Sequence, residues 1–280
     1  MADSWRSSLE IHDLATGSNR VVLRSPDLIE APNWDPDGGS LLVNGDGGLF
    51  RVPLGAAALV PVDTGFADKC NNDHGISPDG CNIVISHHTG RGSEIFILPA
   101  TGGSPRAVTA DAPSWWHGWS PDGARLAYVA ARGEKRVIDV YTIGIAGGPE
   151  LRLTNGEGHC DGPDYAADGS AIYYNCDRDG HAQIWVMAVD GSGQRKLFAD
   201  DHVNWFPHPS PCGGHVLYLA YPPGTEGHPR DLEVGLWLMR PDGGNRRQVV
   251  ALFGGQGSIN VPCWAPDGGA FAFMRYAPIA

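Results

Sequence analysis

Four short stretches concentrate side chains that can do chemistry: Asn72-Asp73-His74, Trp115-Trp116-His117, His159-Cys160-Asp161 and Asn204-Trp205-Phe206-Pro207-His208. An imidazole within reach of a carboxylate can move a proton or ligate a divalent transition metal. Indole faces beside amides and carboxylates make a common wall for a small polar ligand such as a sugar or a peptide. By residue type, His74, His117, Asp73 and Asp161 are the candidates for acid–base work. His74, His117, His159 and His208 are the candidates for metal ligation, and a divalent metal is the cofactor they would imply. The stretches lie far apart in the chain, so a fold must bring one point of each to a common place.

The composition says what kind of fold does this. The 280 residues include 39 Gly and 22 Pro, the two poorest residues for a helix interior. With 42% hydrophobic residues and nine Trp, the chain is nevertheless rich enough to fold. A turn motif recurs at Trp34-Asp35-Pro36-Asp37-Gly38, Ile76-Ser77-Pro78-Asp79-Gly80, Trp119-Ser120-Pro121-Asp122-Gly123 and Trp264-Ala265-Pro266-Asp267-Gly268. Degenerate copies stand at Tyr165-Ala166-Ala167-Asp168-Gly169 and Pro209-Ser210-Pro211-Cys212-Gly213. Steps between the fourth positions are 42, 43, 46, 44 and 55 residues, near the length of a four-stranded propeller blade. Pro presets φ and Gly accepts the positive φ that ends the turn. Apolar runs follow each motif, separated by a polar loop and then a Gly-rich turn, which predicts antiparallel sheets of four strands.

The spacing predicts an all-β, six-bladed propeller in a single domain, residues 1–280. Five blades fall at about 29–63, 70–109, 113–154, 159–198 and 203–250. The sixth is shared, pairing 8–23 from the N-terminus with 259–276 from the C-terminus, which removes the exposed edges of an open stack. Aligning the innermost strands puts Glu30, Asn72, Trp115, Asp161, Trp205 and Asn260 in one ring. The next positions are Ala31, Asp73, Trp116, Gly162, Phe206 and Val261, then Pro32, His74, His117, Pro163, Pro207 and Pro262. His159 and Asn204 lie just upstream. Nine of the eleven His fall at the inner-strand entries or the loops expected on the same face of the disc, and only His12 and His215 fall elsewhere. The expected ligand-binding set is therefore Glu30, Asn72, Asp73, His74, Trp115, Trp116, His117, His159, Asp161, Asn204, Trp205, His208 and Asn260.

The Trp-Ser-Pro-Asp-Gly core and its six in-phase copies resemble the repeats of TolB-like six-bladed β-propellers, over essentially the whole chain. The resemblance implies that fold, while the polar and aromatic ring of residues at the mouth gives the expectation of a binding module for a small polar ligand, a peptide or a protein. It does not reach the N-terminal α/β domain and secretion signal of TolB itself, so the role of TolB in the Tol–Pal assembly is not carried over. Related propellers precede hydrolase domains, but no Gly-x-Ser-x-Gly nucleophile elbow is present. The alternative is a metal- or His/Asp-dependent carbohydrate-active or hydrolytic enzyme on the same face. Oligogalacturonate lyases offer a His-lined metal site on a propeller as precedent, without a matching Gln-x-x-His-x-His run here.

Other features set limits. A net charge of −12 leaves no basic footprint for nucleic acid. No run of 18 apolar residues is present, so no membrane span is expected. The first residues lack the pattern of a secretion signal, giving an expectation of a cytoplasmic protein, or a periplasmic one if a leader has been removed. None of the six Cys forms a Cys-x-x-Cys pair; Cys160 and Cys176 could meet across neighbouring strands, but unpaired thiols are the favoured expectation. Trp34, Trp119 and Trp264 are expected to pack between blades, and Asp37, Asp79, Asp122 and Asp267 to form turns. The segment 222–233 is a loop longer than its counterparts, suited to covering a pocket or making a partner contact, and equally consistent with a tolerated insertion.

Overall fold

The computed structural model describes residues 6–277. Its strands form six antiparallel sheets, and none of these residues is helical. Blade 1 runs outward through Glu30–Trp34, Ser40–Gly45, Gly48–Pro53 and Val60–Val62. Blades 2, 3, 4 and 5 repeat the order, with inner strands Cys70–Ile76, Ser114–Trp119, Cys160–Tyr165 and Val203–Pro209. In the sixth blade Ala270–Tyr276 pairs with Ser7–Asp13, which pairs with Ser18–Ser25. The ring is thus closed by strands from the two ends of the chain.

The inner member of blade 6 departs from expectation. The four-strand pattern expects 259–276 to supply two strands, but only Ala270–Tyr276 is a regular one; the segment 259–264 meets it through the Trp264–Phe271 bridge and separate bonds such as Ala272 N–H to Cys263 O (2.9 Å). Pro262 has no N–H to give to a ladder. The segment also enters from a tight turn at Gly255 and Gly257, both at positive φ.

The repeated turns close as their sequence demands. In all six the Gly N–H bonds back three residues, from Gly38 to Asp35 O through Gly268 to Ala265 O, at 2.8–2.9 Å. Asp37, Asp79, Asp122 and Asp267 each accept from the backbone N–H two residues on. Trp119 and Trp264 are buried against neighbouring-blade residues in apolar clusters. Gly75 allows the same packing: a Cβ there would come within 2.3 Å of the ring edge of the fully buried Trp116.

Each regular inner strand carries a register shift, between Glu30 and Asn33, Cys70 and His74, Trp116 and Gly118, Asp161 and Asp164, and Trp205 and His208. Three of these bulges hold a residue at positive φ: Ala31, Gly162 and Phe206. A bulge frees backbone groups from the ladder, and the preceding blade satisfies them. Ser86 Oγ accepts from Trp116 N–H (2.9 Å) and Asn175 Oδ1 accepts from Phe206 N–H (3.0 Å). These buried polar residues tie blade 2 to blade 3 and blade 4 to blade 5.

Cys160 and Cys176 stand opposite each other on adjacent strands, with Cα atoms 4.0 Å apart, and are joined as a disulfide. This corrects the expectation of unpaired thiols. Register decided it, because directly opposed positions bring Cβ atoms within bridging range. Cys70, Cys81, Cys212 and Cys263 are free thiols.

Candidate functional site: the propeller mouth

A cavity of about 1120 Å³ opens at the axis, and all six blades contribute to its wall. Glu30, Asn72, Asp73, Trp115, His117, His159, Asp161 and Asn260, all expected site residues, line it. The bulges explain how residues so far apart in sequence converge, since each inner strand begins at the mouth and turns its first side chains inward.

Asp161 is the hub. Its Oδ1 accepts from His117 Nε2 (3.0 Å) and from Gly162 N–H (2.7 Å), and its Oδ2 accepts from His159 Nε2 (3.2 Å). Burial alone would push this carboxyl up, but the hydrogen bonds from His117 and His159 hold it well below the usual carboxylate range. Burial likewise opposes charge on the two imidazoles, and their bonds to Asp161 outweigh it, raising both pKa values. Asp161 stays ionised and both rings gain affinity for a proton.

Asp73 is held differently. Its Oδ1 accepts from Asn260 Nδ2 (2.5 Å) and its Oδ2 from Asn71 Nδ2 (2.7 Å). Burial, with Asp161 adding to it and His117 opposing, pushes this carboxyl up to about 6. Two carboxylates of one cavity are therefore driven apart, one by imidazole partners and the other by desolvation.

His228 was outside the expected site set. It comes from the long segment at 222–233, packs against Trp205 (centroids 4.4 Å) and Phe206 (5.3 Å), and brings Nε2 to 3.8 Å from Asp161 Oδ2. Burial lowers its pKa. The length of that loop was the signal in the sequence. The loop is shorter than expected, because residues 230–233 already belong to the strand Arg230–Met239, where they pair with Phe253–Gly255; Arg230, which opens that strand, bonds Glu30 Oε1 (3.2 Å) across the mouth. Nothing in the repeat pattern announced that pair.

Five expected site residues do not line the cavity. His74 is fully buried, and burial drives its pKa down to about 4, so it is a neutral core imidazole. Trp116 packs on Gly75. Trp205 backs the imidazoles, edge-on to His159 (5.5 Å). Asn204 Nδ2 ties down the preceding loop through Asp200 Oδ1 (3.0 Å) and Gln183 Oε1 (3.2 Å). His208, 1% exposed, lies deeper, with Nδ1 3.0 Å from Asp164 Oδ2 and Nε2 donating to Ile259 O (2.7 Å). The metal candidates are thus divided: His117 and His159 share Asp161, while His74 and His208 sit apart. Among the described residues no group of three or more His, Cys, Asp or Glu is arranged to hold a metal ion.

Closed ring and polar mouth together define a six-bladed propeller with a central cavity. Residues 76–235 match the model of the TolB beta propeller domain, PD40. The chain belongs to this TolB-like propeller family. It is 50% identical to the uncharacterized protein Atu1656 of Agrobacterium fabrum, over 99% of this chain and 94% of that protein. A solved structure of a candidate TolB from Agrobacterium tumefaciens superposes with a TM-score of 0.96 at 50% identity, covering 99% of this chain and all of that one. The Tol-Pal system protein TolB of Bordetella pertussis is 28% identical across 65% of this chain, and the match spans only 59% of that protein's length. Among the described residues no helix is long and apolar enough to cross a membrane.

Proposed function

We propose that this propeller is a binding module whose mouth takes a small polar ligand, or a polar peptide segment presented by a partner protein. The observation that carries the reading is the cavity itself: it is walled by every blade and combines half-buried Trp115 and half-buried His159 with the buried Asp161–His117 and Asp73–Asn260 pairs. Networks in which each member positions the next are preorganised, and a preorganised polar wall with an aromatic face selects a ligand by orientation.

A second reading is favoured by one specific feature. A carboxylate holding two imidazoles, with a second carboxyl raised to about 6 in the same cavity, is the arrangement expected of an acid–base pair in a hydrolytic or carbohydrate-active enzyme. The disulfide between Cys160 and Cys176 supports placement in an oxidising compartment such as the periplasm.

The test is a thermal-shift screen of sugars, short peptides and divalent metals, followed by titration of each hit against Trp115→Ala and Asp161→Ala. A ligand that selects the folded state raises the midpoint, and loss of the aromatic wall should weaken it by roughly tenfold or more. Hits that bind both folded variants unchanged would put the site elsewhere. Turnover of a hit, lost in Asp161→Ala, would favour the enzyme.

A further inference from the structure

The charged groups of the mouth are unbalanced toward carboxylates. Asp27, Glu30, Asp46, Asp73 and Asp161 all reach the cavity wall, and Arg230 is the guanidinium there. Arg230 is already engaged by Glu30 and Asp231. His117 and His159 are committed to Asp161.

Asp73 is left with amide partners only. It is 4% exposed; His117 attracts it electrostatically, but the ring's hydrogen bond goes to Asp161, so the amides are its direct partners. A buried carboxylate with no direct ion-pair contact is costly, and proteins normally pair it. Beside it stands an independent deficit: Asn260 is 1% exposed and gives its Nδ2 to Asp73, while its Oδ1 is buried with no donor. On the blade 1 wall Asn44 Oδ1 is likewise buried and without a donor. These are acceptors waiting for hydrogen, next to a charge waiting for its opposite.

We infer that the mouth recognises a ligand through a primary ammonium group seated against Asp73 and Asn260 Oδ1. This rests on the binding reading above and names the chemistry of its ligand. An ammonium offers three donors and one positive charge, which answers both deficits at once. A guanidinium fits less well, because its fork prefers both oxygens of one carboxylate in parallel. The oxygens of Asp73 are each already held by a different amide. A neutral sugar hydroxyl could fill the Asn260 acceptor but would leave the carboxylate uncompensated. The half-buried indole of Trp115 in the same wall suits the alkyl stem or the charge of such a ligand.

The experiment uses a matched pair, Nα-acetyl-lysine methylamide and its Nε-acetyl derivative, which differ only in the charged head. Cadaverine is a third probe, distinguishing a free amine from a lysine side chain. Binding is read by calorimetric titration and ligand-observed NMR at pH 7.5. The charged lysine probe or cadaverine should bind at least about tenfold more tightly than the acetylated probe. Asp73→Asn should cut that preference to less than about threefold, and Asn260→Ala should reduce it if the first variant folds poorly. Equal binding of all three probes, binding of none, or an ammonium preference surviving in both variants would overturn the inference. The two readings fail differently. If a neutral compound binds and is lost in Trp115→Ala while amines do not bind, the ammonium inference falls and the binding module stands.

Discussion

Replacing Asp73 by Asn should make this protein more stable at neutral pH, although the residue lies in the candidate site. Its carboxyl titrates at about 6 instead of 3.8, chiefly because burial disfavours the charged form. Two units correspond to about 3 kcal/mol. The sign follows from linkage: the folded state holds this proton more tightly than the unfolded chain does. Its favourable contribution is complete below about pH 4 and is lost as pH rises through about 6. Asn does not titrate and escapes that loss. It also brings an NH₂ where Asp73 only accepted, facing Asn260 Nδ2 or Asn71 Nδ2, and re-pairing one amide costs about 1 kcal/mol. The net expectation is a gain of about 2 kcal/mol at pH 7.5, or about 3 °C in the melting midpoint for a chain of this length. At pH 4.5 most of the gain should vanish. The groups facing Asp73 are His117, Asp161, Asn71 and Asn260, so the same scans on His117→Gln would show whether the imidazole contributes. Calorimetry and urea titration of wild type and variant at the two pH values make the check. A variant less stable than wild type at pH 7.5, or equally stabilised at both, would refute the reasoning. Stability gained by removing a site residue is the usual signature of a group kept for function.

Two further outcomes follow from packing and covalent geometry. Gly75→Ala should cost on the order of 3 kcal/mol, because the new methyl overlaps the Trp116 ring, which has no exposed surface to move into; an unchanged urea midpoint would contradict this. Cys176→Ser opens a cross-link with a sequence separation of 16 and should cost about 3 kcal/mol. Reductant should lower the wild-type midpoint similarly and leave that of the variant alone, and a wild type indifferent to reductant would count against the pairing.

Much of the fold was readable because its signals are local. A turn of Pro-Asp-Gly type needs only four residues to be recognised, and alternating apolar runs need only their neighbours. Ring closure was readable too, since two strands at one end of the chain matched what the other end lacked. The inner segment of blade 6 was misjudged as a regular strand. Pro262 and the Gly255–Gly257 turn remove it from the ladder, and a sixth copy of the motif does not reveal that.

The site was readable only as a ring of positions. Repeat phase placed Glu30, Asn72, Trp115, Asp161 and Asn260 at the mouth, and the structure brings all five there. Phase could not say that His74 is a neutral core imidazole while His117, at the same repeat position, bonds Asp161. The two differ in what the neighbouring blades present to them. Nor could it supply Asp164 as the partner of His208, or bring His228 from a loop onto Trp205 and Asp161. By itself the sequence determined the number of blades, their turns, the closure of the ring and which residues begin each inner strand, because these depend on spacing along the chain. Tertiary structure alone decided which carboxylate meets which imidazole, which acceptor is left without a donor and which thiols join. Those choices depend on the inner-strand bulges and on the angle between blades, and neither is written in any single repeat.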